Sequence, residues 1–242
     1  PPTAHKAPPS PTPKPVPLPA RTTNVLAGLE HPWAVAFLPD GRMLITERPG
    51  RLRLASRDGK ISAPLVGVPA VLARGQGGLL DVSLSPGFAQ DRLVYLSFAE
   101  PGGAGGGTAV ARGRLGEQGL QGTQVIWRQQ PQPSGYNHWG SRLVWRPDGT
   151  LFITLGERFQ HPKLAQDLST TVGKIVRINA DGSIPRDNPF VGRADVRPEV
   201  WSYGHRNVQA AAPDAAGGLW TVEHGARGGD ELNNPPPGRN YG

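Results

Sequence analysis

His138 stands between Asn137 and Trp139, just ahead of an apolar run, and Glu157 closes the run that would pair with it. An imidazole has a reference pKa of about 6.5, so it can accept a proton near neutrality. A carboxylate on one ring nitrogen would fix the tautomer and leave the other nitrogen to act as a general base. Arg206, in the run His205-Arg206-Asn207, adds a permanent cation able to stabilise developing negative charge. Each residue also has a plainer use. A lone histidine is more often structural, and Arg206 would serve equally in an ion pair between neighbouring elements. Position decides between these uses, so the elements that carry the residues come next.

The stretch SGYNHWGSRLVWRPDGTLFITLGERF (Ser134–Phe159) reads as a hairpin, with LVW, a turn at Pro147-Asp148-Gly149, and LFIT. HPWAVAFLPDGRMLITERPGRLRL (His31–Leu54) follows the same plan. Aligned on Pro-Asp-Gly, Val35 and Phe37 fall on Leu143 and Trp145, and Leu44, Ile45 and Thr46 fall on Phe152, Ile153 and Thr154. Weaker copies lie at Gly77–Glu100, with Pro86 in the turn, and at Val208–Gly225, with Pro213-Asp214. The marker prolines 39, 86, 147 and 213 are spaced by 47, 61 and 66 residues. Such intervals, each holding two strands and a turn, are the signature of propeller blades with loop insertions. LRLAS, TAVARGRL, TQVIWRQ and KIVRIN supply outer strands. A sandwich would not explain the repeated register, so the predicted fold is an all-β propeller with four blades in this chain.

That register brings ionisable groups together. Trp33, Gln76, His138 and His205-Arg206-Asn207 precede the innermost strands, while Glu47-Arg48, Glu157 and Glu223-His224-Gly225 follow the second strands. All are expected on one rim of the channel, which is how loop-bearing scaffolds build binding sites.

Composition agrees. Gly (33) and Pro (27) make up about a quarter of the 242 residues, which suits many short strands and tight turns. Residues 1–24 are proline-rich with little to bury and read as a disordered tether ahead of a domain over residues 25–242. A tether of this kind fits an exported protein, periplasmic or secreted. No apolar run approaches the ~20 residues that span a bilayer. The absence of cysteine excludes disulfides and thiolate metal sites. The net charge of +7 comes from scattered basic residues without a nucleic-acid recognition motif, so no nucleic-acid partner is expected. Val222–Gly242 offers acidic residues, glycines and carbonyls of the kind hard cations use, without EF-hand spacing, and a glycine-rich surface loop explains it as well. There is no Walker loop, GxGxxG or HExxH.

Six segments, LEHPWAVAFLPDGRMLITER, GQGGLLDVSLSPGF, NHWGSRLVWRPDGTLFITLGE, TTVGKIVRINADGSIPRDNPF, VWSYGHRNVQ and VEHGARGGDELNNPPPGRNYG, run in order from about residue 28 to the end. In them the chain resembles the soluble aldose dehydrogenases that depend on pyrroloquinoline quinone (PQQ), also called glucose/sorbosone dehydrogenases. The resemblance implies a six-bladed propeller with PQQ flat over the channel mouth. It implies that His138 takes the proton from the sugar C1 hydroxyl as hydride passes to the quinone, with Glu157 supporting the histidine. Gln76 would contact quinone and substrate, and Arg206 and Asn207 would face the reactive quinone oxygens. Gly225 and Ala226 would hold a Ca²⁺ through their carbonyls, with Asp230 lining that pocket, while Glu231 and the Tyr241 carbonyl would hold a second Ca²⁺.

The chain departs from the family in two ways. The family continues YGHRN with Pro-Gln-Gly, where Val208-Gln209-Ala210 stands here. The last two blades, with the basic residues that clamp the quinone carboxylates, are expected to lie beyond Gly242, leaving two open sheet edges. The sequence therefore reads as the front two-thirds of a quinoprotein that oxidises aldoses to lactones, with an electron acceptor other than oxygen. A non-catalytic, calcium-stabilised propeller that binds a ligand or protein at the rim is the alternative. A propeller lactonase would want more carboxylates and asparagines around one metal than this rim holds.

Overall fold

The computed structural model describes residues 20–242. The tether read over residues 1–24 falls outside that range apart from residues 20–24, which are exposed and without regular structure. Leu26 and Leu29 pack against Met43, Ile45 and Ala55 and are the first residues to join a core cluster.

Four antiparallel sheets follow one another along the described chain. The first contains β1 (Pro32–Phe37), β2 (Met43–Glu47) and β3 (Arg51–Ala55). The second contains β4 (Leu79–Leu84), β5 (Leu93–Glu100), β6 (Gly107–Leu115) and β7 (Leu120–Arg128), with the short helix α1 (Phe88–Asp91) between β4 and β5. The third contains β8 (Leu143–Trp145), β9 (Leu151–Thr154), β10 (Lys174–Ile178) and β11 (Val200–Tyr203), with α2 (Pro162–Gln166) after β9. The fourth contains β12 (Val208–Pro213), β13 (Leu219–Glu223) and β14 (Glu231–Asn233). The first strand of each sheet touches the first strand of the next, β1 to β4, β4 to β8 and β8 to β12. These are propeller blades around a channel.

The core lies between blades. Successive side chains of a strand point to opposite faces, so each sheet must be covered on both sides. Leu143 and Ile153 join Tyr95, Val110 and Trp127 of the second blade, whereas Val144 and Phe152 join Trp201 and Leu219 towards the fourth. Val35 and Phe37 on the first blade, and Val222 and Leu232 on the fourth, are exposed.

The hairpins pair in the register that the Pro-Asp-Gly alignment requires, with Val35 opposite Ile45 and Leu143 opposite Ile153. One marker is out of step. The turn closed by Leu38 and Gly41, and by Arg146 and Gly149, is closed in the fourth blade by Asp214 and Gly217. Pro213 therefore ends β12 instead of entering the turn. The Asp214 carboxylate explains why no proline is needed there, since it accepts the amides of Ala216 at 2.9 Å and Gly218 at 2.8 Å. Val222–Gly242 is likewise more than a loop, because β14 pairs with β13 inside it.

A hydroxyl in the second strand of each of the first three blades joins it to the next. Thr46 Oγ1 accepts the Ala34 amide and donates to the Leu80 carbonyl. Ser97 accepts Asp81 N–H and donates to Ser141 O, and Thr154 accepts Arg142 N–H and donates to Val208 O. Thr154→Val preserves shape but leaves the Arg142 amide and the Val208 carbonyl unpaired. It is expected to lower the unfolding free energy by about 1–3 kcal/mol. Denaturant titration checks this, and an unchanged midpoint would show that the bridge contributes nothing.

Candidate active site

Pro32 lies opposite Glu47, Val208 lies opposite Glu223, and Gly140 packs on the Leu155 backbone at the same height. Glu30, His138 and Arg206 thus occupy equivalent rim places, two residues ahead of those contacts. Trp33, expected at this place in the first blade, lies within β1 under the Arg142 guanidinium, 4.1 Å from its ring centre.

The structure brings His138, Glu157 and Gln76 together. His138 Nδ1 meets Glu157 Oε1 at 2.6 Å, and its backbone amide donates to Gln76 Oε1 at 2.8 Å. Its Nε2 has no hydrogen-bond partner among the described residues. The carboxylate fixes the proton on Nδ1, which leaves Nε2 with a free lone pair. Glu157 comes from the segment beyond β9, where its amide donates to the Arg206 carbonyl at 2.9 Å. Both side chains are nearly buried, and Glu157 Oε2 is buried without a partner.

Backbone strain gathers here. His138, Ser141, Arg158 and Phe159 all have left-handed φ values, at 52°, 87°, 64° and 65°. Such residues cost about 1–3 kcal/mol each and persist only where their surroundings over-determine them. Phe159 stands edge-on to the His138 ring at 5.1 Å, and much of its own ring is exposed. Sequence reasoning missed Arg158 and Phe159, since no pattern in GERF signals left-handed backbone.

A second histidine–glutamate pair lies in the fourth blade and is closed. His205 is fully buried, with Nδ1 2.8 Å from Glu223 Oε2, Nε2 2.8 Å from Ser202 Oγ, and Tyr241 stacked on its ring at 5.2 Å. Glu223 Oε1 also accepts the Arg206 and Asn207 amides. With every polar atom of its ring engaged, His205 holds the Arg206 loop. Arg206 donates to the His224 carbonyl at 2.9 Å. Asn207 is buried, and its amide oxygen is committed to Gly140 N–H and to Gln209.

Glu157, Phe159, Pro162, His205, Arg206 and Ala226 line a cleft of about 540 Å³. At its edge Asp230 Oδ1 accepts the Gly225 amide at 2.8 Å. Glu231 lies on β14 opposite Glu223, where it accepts from Asn233, and Tyr241 N–H donates to Tyr203 O. Among the described residues no three His, Cys, Asp or Glu side chains gather as a metal cluster. Another cleft, of about 520 Å³, is apolar, with Arg142 its only ionisable residue, and follows the exposed face of the first blade. No described helix is long and apolar enough to cross a membrane.

Fold and site define a β-propeller with a histidine–glutamate pair open at one nitrogen on its rim. The sequence profile described as Glucose / Sorbosone dehydrogenase matches residues 29–242, and the chain belongs to that family. It is 52% identical over 219 residues to the aldose sugar dehydrogenase YliI of Escherichia coli K12, covering 88% of this chain and 59% of that protein. The apo structure of the E. coli soluble aldose sugar dehydrogenase overlays with a TM-score of 0.85 at 52% identity, over 88% of this chain and 63% of that one. The PQQ-bound aldose sugar dehydrogenase of Streptomyces coelicolor overlays with a TM-score of 0.79 at 34% identity, over 91% and 64%.

One wall of the cleft is α2, and a buried cation holds it. Lys174 Nζ donates to the carbonyls of Leu164, Ala165 and Val172, each at 2.8 Å. Burial pushes its pKa down from the ordinary 10.5 to about 7. Between those values the unfolded chain binds the extra proton, so stability is expected to rise as pH rises from about 7 towards 10.5. Unfolding free energies measured across that window in wild type and Lys174→Met check this. The variant is expected to show a flatter profile, and equal slopes would remove Lys174 as the cause.

Proposed function

We propose that the protein is a quinoprotein dehydrogenase that oxidises the C1 hydroxyl of aldose sugars to lactones. The observation that carries this reading is the His138 ring, with Nδ1 held by Glu157, which itself lines the cleft, and Nε2 without a hydrogen-bond partner among the described residues. The relatives named above support the substrate class and the quinone.

The residues present fit PQQ, a flat polyanion. The exposed Phe159 ring offers an aromatic surface, Arg206 offers a cation, and the cleft of about 540 Å³ has the size of small-molecule sites. Gln76, Arg206 and Asn207 would border it, with the Asn207 oxygen already engaged by the Gly140 amide. The 225–230 loop offers oxygen ligands, through the Gly225 and Ala226 carbonyls and Asp230, and holds no cysteine, which suits Ca²⁺ rather than a thiolate-seeking metal. A second Ca²⁺ would use Glu231 and the Tyr241 carbonyl.

When bound, the calcium–quinone pair supplies a two-electron oxidant that accepts hydride from the sugar C1 carbon. His138 Nε2 takes the C1 hydroxyl proton, and Glu157 stabilises the resulting imidazolium through Nδ1–H. Gln76 fixes the backbone from which the ring projects. The Arg206 guanidinium, tied to the His224 carbonyl, keeps a positive charge at the cleft wall where negative charge develops.

The test is optical. Full-length protein is stripped of metal and reloaded with PQQ and Ca²⁺, an aldose is added, and the reduced-quinone spectrum is followed. The expected result is reduction in the wild type and a rate loss of about 10²–10⁴-fold in His138→Gln. Reduction that survives in His138→Gln would reject the base assignment. Absence of both quinone binding and reduction, with calcium still stabilising the fold, would favour the non-catalytic binding propeller.

A further inference from the structure

We infer that Arg158 is a positioning residue, whose buried guanidinium grips the chain on both sides of His138 and sets the aim of its ring. This rests on the reading of His138 as the base. Arg158 is fully buried and makes no ion pair within salt-bridge distance among the described residues. Its Nε donates to the Asn137 carbonyl at 3.2 Å, and its Nη2 donates to the Gly135 carbonyl. Nη1 donates to the Gly106 carbonyl at 3.2 Å, and the guanidinium carbon lies 3.2 Å from the Trp139 ring centre. Three of the four contacts thus fall on residues 135, 137 and 139, which flank His138, and the fourth falls on Gly106.

A buried cation is costly, and an apolar side chain would pack the same space with less desolvation. Burial lowers the Arg158 pKa to about 9 from its ordinary value, and the Glu157 carboxylate opposes that shift. An apolar chain, however, would leave three carbonyls without donors. Two of them, Gly135 and Asn137, lie in the segment that must hold His138 in a left-handed conformation, with φ at 52°, and the third, Gly106, ties that segment to the loop before β6. Glu157, Arg158 and Phe159 divide the task, since Glu157 holds the ring nitrogen, Arg158 holds the flanking backbone and Phe159 bounds the ring edge. Lysine cannot substitute, because a single ammonium does not reproduce the planar fork that reaches these carbonyls while stacking on an indole.

The test compares Arg158→Lys and Arg158→Met with wild type in the full-length protein. Two readouts are taken, the sugar kcat and KM of the PQQ- and Ca²⁺-loaded form, and the downfield proton resonance of His138 Nδ1–H in the cofactor-free form. That resonance is assigned by its loss in His138→Gln. A misplaced base is expected to lower kcat by about 100-fold in Arg158→Met while sugar KM changes little. Arg158→Lys is expected to lose at least about tenfold in kcat, and the resonance is expected to shift in both variants. If Arg158→Met does not fold, Arg158→Lys alone decides. A folded Arg158→Lys with wild-type kcat overturns the inference, even if its stability has fallen. A fall in kcat with the resonance unmoved also overturns it, because the ring would not have shifted. If wild type reduces no quinone the proposed function fails, and the resonance alone then decides on Arg158.

Discussion

The hydroxyl that leaves the second strand of one blade and bonds to a carbonyl in, or just ahead of, the first strand of the next is the contact on which the site depends. Thr46, Ser97 and Thr154 each accept an amide of their own blade and donate to a carbonyl of the neighbour. Face-to-face apolar packing between blades is strong but non-directional, and it tolerates sliding. A buried hydrogen bond does not, since a slip leaves both partners unpaired. Ser141 follows His138 by three residues and Val208 follows Arg206 by two. The bonds that lock the blades therefore also set the height at which these two side chains meet the channel rim.

Within that frame the histidine–glutamate pair is a departure from the repeat. Glu47 and Glu223 hold one register position and use it structurally, accepting the amides of Glu30 and of Arg206. In the third blade that position is Leu155, so no carboxylate caps the loop before β8. The acid appears two residues later, and it binds an imidazole instead of an amide. Gln76, from the second blade, takes over the missing backbone contact. A carboxylate freed from capping can hold a ring whose far nitrogen remains open. The closed pair in the fourth blade shows the contrast, since Ser202 occupies the nitrogen that would otherwise be free and burial completes the structural role.

The hairpin register, the blade order and the meeting of His138 with Glu157 were legible in the sequence because they follow from a period of two and a repeated turn. Legibility stopped where a different interaction did the same work. Asp214 closes its turn by side-chain capping, so Pro213 looked like a marker while standing two residues away from the equivalent place. β14 is three residues of ELN with little apolar content, held by pairing to β13, which local propensity does not reveal. Trp33 reads as a rim residue until the bulge between Pro32 and Ala34 draws it into β1. Asn207 reads as a ligand-facing amide, yet its oxygen serves Gly140. The burial of Arg158 was invisible for a further reason. A charged residue following a strand ordinarily faces water, and only the three-dimensional gathering of carbonyls from two loops makes an interior position possible.

Arg158 and Lys174 together suggest how irregular backbone is stabilised beside a sheet-built core. Both cations are buried, and both spend their donors on main-chain carbonyls: three for Lys174, and three for Arg158. Strands satisfy their carbonyls with one another, whereas the 134–140 loop and α2 have no ladder to join, and an unpaired buried carbonyl is expensive. One multivalent donor answers several such groups at once, at a desolvation cost that the packed blades can absorb. The geometry is also stiff, because three acceptors converging on one group leave it few alternative placements. That stiffness lies where one loop must hold a strained histidine and a short helix must wall the cleft, so the cost of burying charge falls where shape matters most.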